Sequence, residues 1–319
     1  MIAARSTSPR EVELVDLPEP VAGPGEAVVA LLACGVCGSD VSEAWVAKKV
    51  PAVLGHELCA EVVAVGDGVE QVRAGDRVVV HHHVPCGACA VCRSGRETLC
   101  PQFRATALDP GGFAERVRLS APLVGELLPT TLDPERATFV EPLACVVRAL
   151  ERAEVAAGDR VLVVGCGTGG LLTLAAARAR GAAAVFAAEP RPERLERARA
   201  LGAAAHAGEE VDVALVCAPG AAAVEHAFTA LGPGGRLLLY ATPGEAPLAL
   251  DAASLYAREV EVRASYSAGP QDMRRALALL EGGVLDPLGL VTHRLGLRET
   301  ARALELARTG EAVKALVVA

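Results

Sequence analysis

Residues 161–170 read Val161-Leu162-Val163-Val164-Gly165-Cys166-Gly167-Thr168-Gly169-Gly170. Four β-compatible apolar residues run into a glycine-rich turn that fits G-x-G-x-x-G. An Ala/Leu helix pattern then continues to about residue 180. A glycine motif alone is weak, because Gly-rich turns are common. A strand before it and a helix behind it are the context a dinucleotide-binding turn requires. Gly165 allows the tight turn, Gly167 lets backbone approach a pyrophosphate, and Gly170 lets helix and strand pack closely. The helix N-terminus faces the anion. Glu189 ends the next strand pattern, about 20 residues past the motif, where an acid takes the adenosine ribose hydroxyls. A carboxylate there repels a 2′-phosphate, so NAD is expected in preference to NADP. Arg191 pulls the other way, since a guanidinium could pair with that phosphate. The competing interpretation is an ordinary βα turn with a solvent-facing Glu.

Outward from this turn the pattern repeats. Strand signals at 183–188, 213–217 and 236–240 alternate with helical ones at 192–201 and 221–231. Such alternation predicts a parallel sheet of βαβ units, a doubly wound α/β domain. Two more helix candidates, 271–281 and 297–309, and a strand-like end at 315–318 close the chain. The first third is different. Apolar runs at 27–32, 61–65 and 77–80 are divided by Pro and Gly, predicting a β-rich, turn-rich domain.

The 319 residues suit one large domain or two ordinary ones. The chain is 52% hydrophobic, too apolar to be disordered. A net charge of −8 argues against a nucleic-acid or anionic-membrane binder. No apolar run reaches the ~20 residues that span a bilayer. The N-terminus has no apolar segment of the signal-peptide kind, so a cytoplasmic location is expected. In a reducing compartment, the ten Cys are expected to be metal ligands, catalytic groups or small buried residues rather than disulfides.

Cys86, Cys89, Cys92 and Cys100 have the spacing C-x2-C-x2-C-x7-C. Four thiolates so close can close a tetrahedral zinc site with no open position, hence a structural one. An iron–sulfur site has similar spacings. A nucleic-acid-binding zinc ribbon fits poorly, because the intervening charges are only Arg93, Arg96 and Glu97, with no aromatics.

The remaining candidates are Cys37-Gly38-Ser39-Asp40, Gly55-His56-Glu57 and Glu141-Pro142. Alone, each is unremarkable. Together they supply a thiolate, an imidazole and two carboxylates, the donor types that a catalytic zinc takes in threes while keeping one position open. Asp40 is placed to orient a ligand by hydrogen bonding. The run His81-His82-His83 is expected on a surface or cleft-edge strand, where alternating faces prevent all three from meeting one ion.

In these motifs the chain resembles the zinc-dependent medium-chain dehydrogenases/reductases, within the alcohol dehydrogenase superfamily and closest to its sorbitol and threonine dehydrogenase branch. The carrying segments are CGVCGSDV (34–41), GHE (55–57), GDRVVV (75–80), CGACAVC with a fourth Cys (86–100), GGFAE (111–115), EPLAC (141–145) and GCGTGG (165–170). They occur in family order over nearly the whole chain. The resemblance implies a GroES-like β-barrel catalytic domain at 1–147 and a Rossmann NAD-binding domain at 148–268. Residues 269–319 then return to the catalytic domain, with the active site in the cleft between the domains. It implies that Cys37 and His56 ligate the catalytic zinc, with Glu57 and Glu141 binding directly or through water. Ser39 then passes the substrate proton on. Two zinc ions per chain follow, one catalytic and one structural.

Glu141, where typical alcohol dehydrogenases have Cys, points to polyols. The implied activity is hydride transfer from a secondary alcohol, polyol or sugar-like, to NAD. L-Threonine 3-dehydrogenation or another alcohol or amino-sugar oxidation is the alternative within the family, and a non-catalytic nucleotide-binding regulator is the alternative outside it. The implied assembly is a homodimer or homotetramer without nucleic acid or membrane. Many members have His where this chain has Ser42, and a hydroxyl can pass a proton but cannot hold a charge near neutral pH.

Overall fold

The computed structural model describes residues 1–242 and 249–319. The chain forms two compact units, one of Met1–Pro142 with Gly269–Ala319 and one of Leu143–Ala268. The boundary at residues 142 and 143 falls inside the helix Val140–Arg152.

In the second unit, six strands lie in the spatial order Ala204–Ala205, Ala184–Ala188, Arg160–Val164, Val211–Val216, Leu231–Leu239 and Glu261–Ala264. All five pairings are parallel. Numbered along this unit, the order is 3-2-1-4-5-6, the doubly wound dinucleotide-binding arrangement. Parallel strands need crossovers, and the helices Thr168–Ala179, Pro192–Ala200 and Ala221–Ala230 supply them. In the strand Arg160–Val164 the apolar run fits a parallel sheet covered by helices, and Val161, Leu162 and Val163 are wholly buried. The order reverses between Arg160–Val164 and Val211–Val216. Ligands bind such sheets at the carboxyl ends of the strands flanking that reversal, and the glycine turn starts there.

The first unit is built around a seven-stranded sheet. Its central strand, Ala27–Gly35, pairs antiparallel with Glu57–Val65, Arg116–Leu119 and Lys314–Val318. Val291–Gly296 joins in parallel beyond Lys314–Val318, while Arg77–Val80 and Leu128–Pro129 extend the other side. A core of mostly Val, Leu and Ala, with Phe113 its largest member, fills this unit. The strand expected at 61–65 begins at Glu57, because Glu57 pairs with Gly35 and Leu58 to Ala60 pair with both Ala27–Gly35 and Arg77–Val80. Partners so distant in sequence leave no local alternation to read. The His81–His83 run is corrected here: the strand ends at Val80, so the three imidazoles lie past it, and His81 is buried rather than on a surface.

Candidate active site

The glycine turn is shaped by two close approaches. Gly165 has φ +98°, and a Cβ there would lie 2.6 Å from the Ala218 Cβ. At Gly170 an added Cβ would meet the Gly165 carbonyl oxygen at 1.9 Å, so the helix can start against the turn only with glycine. Gly167, which precedes the helix Thr168–Ala179, has open space by contrast: the nearest atom is Arg194 Nη1 at 4.0 Å. Bare backbone at a helix N-terminus, with room beside it, suits a pyrophosphate. Glu189 follows the strand Ala184–Ala188, and its carboxylate accepts from the Cys166 N–H at 2.7 Å and the Arg191 N–H at 3.0 Å. The acid thus holds the turn in place. The Arg191 side chain is exposed.

In the four-cysteine segment the ligand sulfurs converge within 4.8 Å of one another. Pairs Cys89–Cys92, Cys86–Cys100, Cys89–Cys100 and Cys86–Cys92 stand at 3.5, 3.6, 3.8 and 3.9 Å. Zn–S bonds of ~2.3 Å give a tetrahedron edge of about 3.8 Å. The donors therefore fit zinc. Backbone N–H groups of Cys86, Cys89 and Cys92 point at Cys100, Cys86 and Cys89 sulfurs. The Cys86 N–H is the main cause that pulls the Cys100 thiol down to about 6. Burial, with the neighbouring thiols, pushes Cys92 up to about 12. Four thiolates held this close would need a cation between them, and Phe103 is the other buried apolar side chain of the cluster among the described residues.

Cys37 precedes a short 3-10 turn, Gly38–Val41, that carries half-buried Ser39 and buried Asp40. The Asp40 carboxylate accepts from the Cys37 N–H at 3.0 Å and the Gly55 N–H at 3.4 Å, and lies 3.4 Å from His56 Nδ1. It therefore ties the Cys37 and His56 segments together and leaves the other ring nitrogen of His56 for a ligand role. Burial opposes the charge on His56, but Asp40 and the adjacent Cys37 thiol outweigh it and raise the imidazole well above its usual range. Four carboxylates are buried among the described residues: Asp40, Glu57, Glu141 and Asp272. Asp272 has a structural role, accepting from the Gly269 N–H at 2.8 Å ahead of the helix Pro270–Glu281. A buried carboxylate needs a partner or a function, and the other three all belong to the expected site.

The four expected catalytic ligands are not gathered as the cysteine lobe is. Cys37 and His56 meet. Glu57 instead turns to Lys314, whose Nζ donates to the carboxylate Oε2. Glu141 sits in the first turn of the helix Val140–Arg152. Among the described residues, only the cysteine lobe brings three or more candidate ligand atoms within 4.8 Å. Sequence reasoning missed Lys314, a fully buried lysine in the last strand; a lone Lys near a chain end carries no signal. It also left His82 aside. That ring lies 4.7 Å from His56, centroid to centroid, and burial followed by the neighbouring imidazoles holds it well below the usual histidine range. Ser42 is exposed.

Residues 23–129 match the alcohol dehydrogenase GroES-like domain, and residues 180–318 match the zinc-binding dehydrogenase domain. Sorbitol dehydrogenase of Bacillus subtilis strain 168 is 32% identical over 96% of this chain and 93% of its own length. The chain belongs to the zinc-dependent medium-chain dehydrogenase/reductase family. It is an oxidoreductase with a GroES-like domain and a Rossmann-like parallel sheet. L-Threonine 3-dehydrogenase of Pyrococcus abyssi is 31% identical to this dehydrogenase, covering 98% of it and 97% of the relative. A protein designated a zinc-binding dehydrogenase, from Sinorhizobium meliloti 1021 and solved with NADP bound, superposes with a TM-score of 0.90. It is 28% identical, over 100% of this chain and 99% of that one. No described helix of this dehydrogenase is long and apolar enough to cross a membrane.

Proposed function

We propose that this dehydrogenase oxidises a secondary alcohol of a polyol or sugar-like substrate, with NAD as hydride acceptor and two zinc ions per chain. One observation carries the proposal. Cys37 and His56 are joined, and Asp40 backs the imidazole at 3.4 Å, in a chain that keeps buried carboxylates at Glu57 and Glu141. Cys37 and His56 would hold the catalytic zinc, with Glu57 and Glu141 as the reserve of oxygen donors. Cys86, Cys89, Cys92 and Cys100 would hold the structural one.

Zinc, when bound, is a Lewis acid that lowers the pKa of a hydroxyl it polarises. Asp40 fixes the orientation of His56 and so the direction of its free nitrogen. Ser39, half-buried two residues from Cys37, accepts the hydroxyl proton and passes it to solvent. A bound nicotinamide cofactor would supply the hydride acceptor for the carbinol hydrogen, so that the alcohol is oxidised to a ketone as the cofactor is reduced. Gly165, Gly167 and Gly170 seat the pyrophosphate. Glu189 would take the ribose hydroxyls, and its charge would disfavour a 2′-phosphate, which supports NAD over NADP despite Arg191.

L-Threonine 3-dehydrogenation is the second reading, favoured by the similarity to the Pyrococcus abyssi enzyme. A panel of polyols, hydroxy amino acids and simple alcohols, run with NAD and with NADP, separates the two. Polyol oxidation with NAD is the expected result, and exclusive oxidation of threonine would replace it. A cytoplasmic homodimer or homotetramer is the proposed setting, checked by light scattering.

A further inference from the structure

A continuous stack of rings joins the Cys37–His56 pair to the four-cysteine lobe. The His82 ring lies 4.7 Å from His56 and 4.1 Å from His83, centroid to centroid. His83 in turn lies 5.2 Å from the Phe103 ring, which also takes the buried His81 ring at 5.9 Å. Phe103 is fully buried and shares the small core of the lobe with Cys92 and Cys100. It stands in the helix Pro101–Ala105, directly after Cys100, and its N–H donates to the Cys100 carbonyl oxygen at 3.1 Å. Thr106 follows that helix and clamps the histidine run. Its carbonyl oxygen accepts from His83 Nδ1 at 2.8 Å, and its hydroxyl oxygen accepts from the Val84 N–H at 2.8 Å.

Strand pairing stops at Val80, so past that point the histidine run is held by these contacts. The anchors of His83, Phe103 and Thr106, flank the helix that starts at a lobe ligand. The lobe has little core of its own, so its order follows metal coordination. It thus has two states, folded round a metal or loosened, and the folded one fixes His83 and, through it, His82 against His56. Such a two-state element is what coupling between two sites requires. We propose that His82 and His83 are positioning residues through which the four-cysteine lobe fixes the His56 imidazole, so that metal in the lobe sets the affinity of the Cys37–His56 site for the catalytic zinc. The proposal rests on the catalytic-zinc reading above. Asp40 orients His56 through Nδ1 at 3.4 Å, and the His82 ring packs against the same imidazole. A metal ligand that loses such outer support loses about 10–100-fold in affinity.

The test follows each zinc by chelator competition in the two-zinc protein, in wild type, His83→Leu, His83→Asn, Cys100→Ser and the double variant His83→Leu/Cys100→Ser. His83→Leu keeps all four lobe thiolates but cannot donate to Thr106. It is expected to retain the lobe zinc and to bind the catalytic zinc about tenfold or more weakly. His83→Asn, whose amide donates from near the Nδ1 position, is expected to restore most of that affinity. Cys100→Ser should weaken the catalytic site by a similar factor. The double variant should be no weaker than Cys100→Ser alone, because both changes break one connection. With cobalt(II) in the catalytic site, the visible spectrum of His83→Leu should differ from wild type, which a general loss of stability does not produce. Catalytic-zinc affinity in His83→Leu within twofold of wild type overturns the proposal, and this variant decides alone if Cys100→Ser does not fold. A double variant whose loss is the product of the two single losses also overturns it. A wild-type protein that holds only the lobe zinc fails at the earlier step and removes the Cys37–His56 metal reading itself.

Discussion

Lys314 Nζ and the Glu57 carboxylate form a buried ion pair across 257 residues of sequence. The two side chains are 1% and 2% exposed. The ammonium also donates to the Val36 carbonyl oxygen at 3.2 Å and stands 5.6 Å over the Phe139 ring. The last strand of the chain is thereby latched to the residue after His56. Removing one partner strands the other charge in the core. Lys314→Met is therefore expected to cost about 3–5 kcal/mol, and adding Glu57→Gln to recover more than half of it. Urea unfolding measures both; a loss under ~1 kcal/mol in the single variant contradicts this account of the pair.

Asp40 acts through His56. Asp40→Asn keeps the shape but loses the charge facing the imidazole and one acceptor for the Cys37 and Gly55 N–H groups. Catalytic zinc should bind about 10–100-fold more weakly. Competition with a chelator reads this directly: one zinc equivalent becomes labile while the second stays. Equal retention of both would remove the orienting role.

Two neighbouring glycines should behave differently. Gly170→Ala drives a Cβ into the Gly165 carbonyl and should destabilise the nucleotide unit itself. Gly167→Ala meets nothing nearer than 4.0 Å, so thermal stability should hold while NADH affinity falls, because the methyl occupies the space a pyrophosphate needs. Calorimetry with NADH fluorescence titration separates the two effects. An unchanged NADH affinity in Gly167→Ala would move the pyrophosphate elsewhere.

Glu189 holds the glycine turn through the Cys166 N–H. Glu189→Ala should raise the KM for NAD about tenfold and narrow the preference over NADP. Steady-state kinetics with both nucleotides checks it, and an unaltered preference would assign selectivity to another residue.

Cys100→Ser should remove one zinc equivalent and loosen the lobe, since metal coordination supplies most of what holds a segment with so little core. Trypsin should then cut at exposed Arg93 and Arg96, which wild type resists. Full zinc content with unchanged resistance would contradict a structural metal there.

The nucleotide unit was the most legible part of the sequence. Its strands 160–164, 184–188 and 211–216 are short, mostly apolar runs, broken only by Arg160 and Asp212, and the first leads straight into the glycine turn at 165–170, so local pattern was enough. The cysteine lobe was legible for the same reason: its ligands lie within fifteen residues. The rest depends on contacts that sequence proximity does not report. Glu57 looked like a free ligand beside His56 because its partner is the distant Lys314. The His81–His83 run is expected on a surface or cleft-edge strand, whereas pairing stops at Val80 and His81 is buried. What the imidazoles face is set by the packing of His56, Phe103 and Thr106 around them.

The central claim is that Cys37 and His56 hold a zinc at which a polyol is oxidised by NAD. The most direct measurement is NADH formation from a polyol panel by zinc-loaded wild type, by chelated and zinc-restored protein, and by Cys37→Ala. The account predicts NAD-dependent polyol oxidation, lost on chelation, regained with zinc, and lowered by about a hundredfold or more in a folded Cys37→Ala protein. Activity in Cys37→Ala comparable to wild type would contradict it.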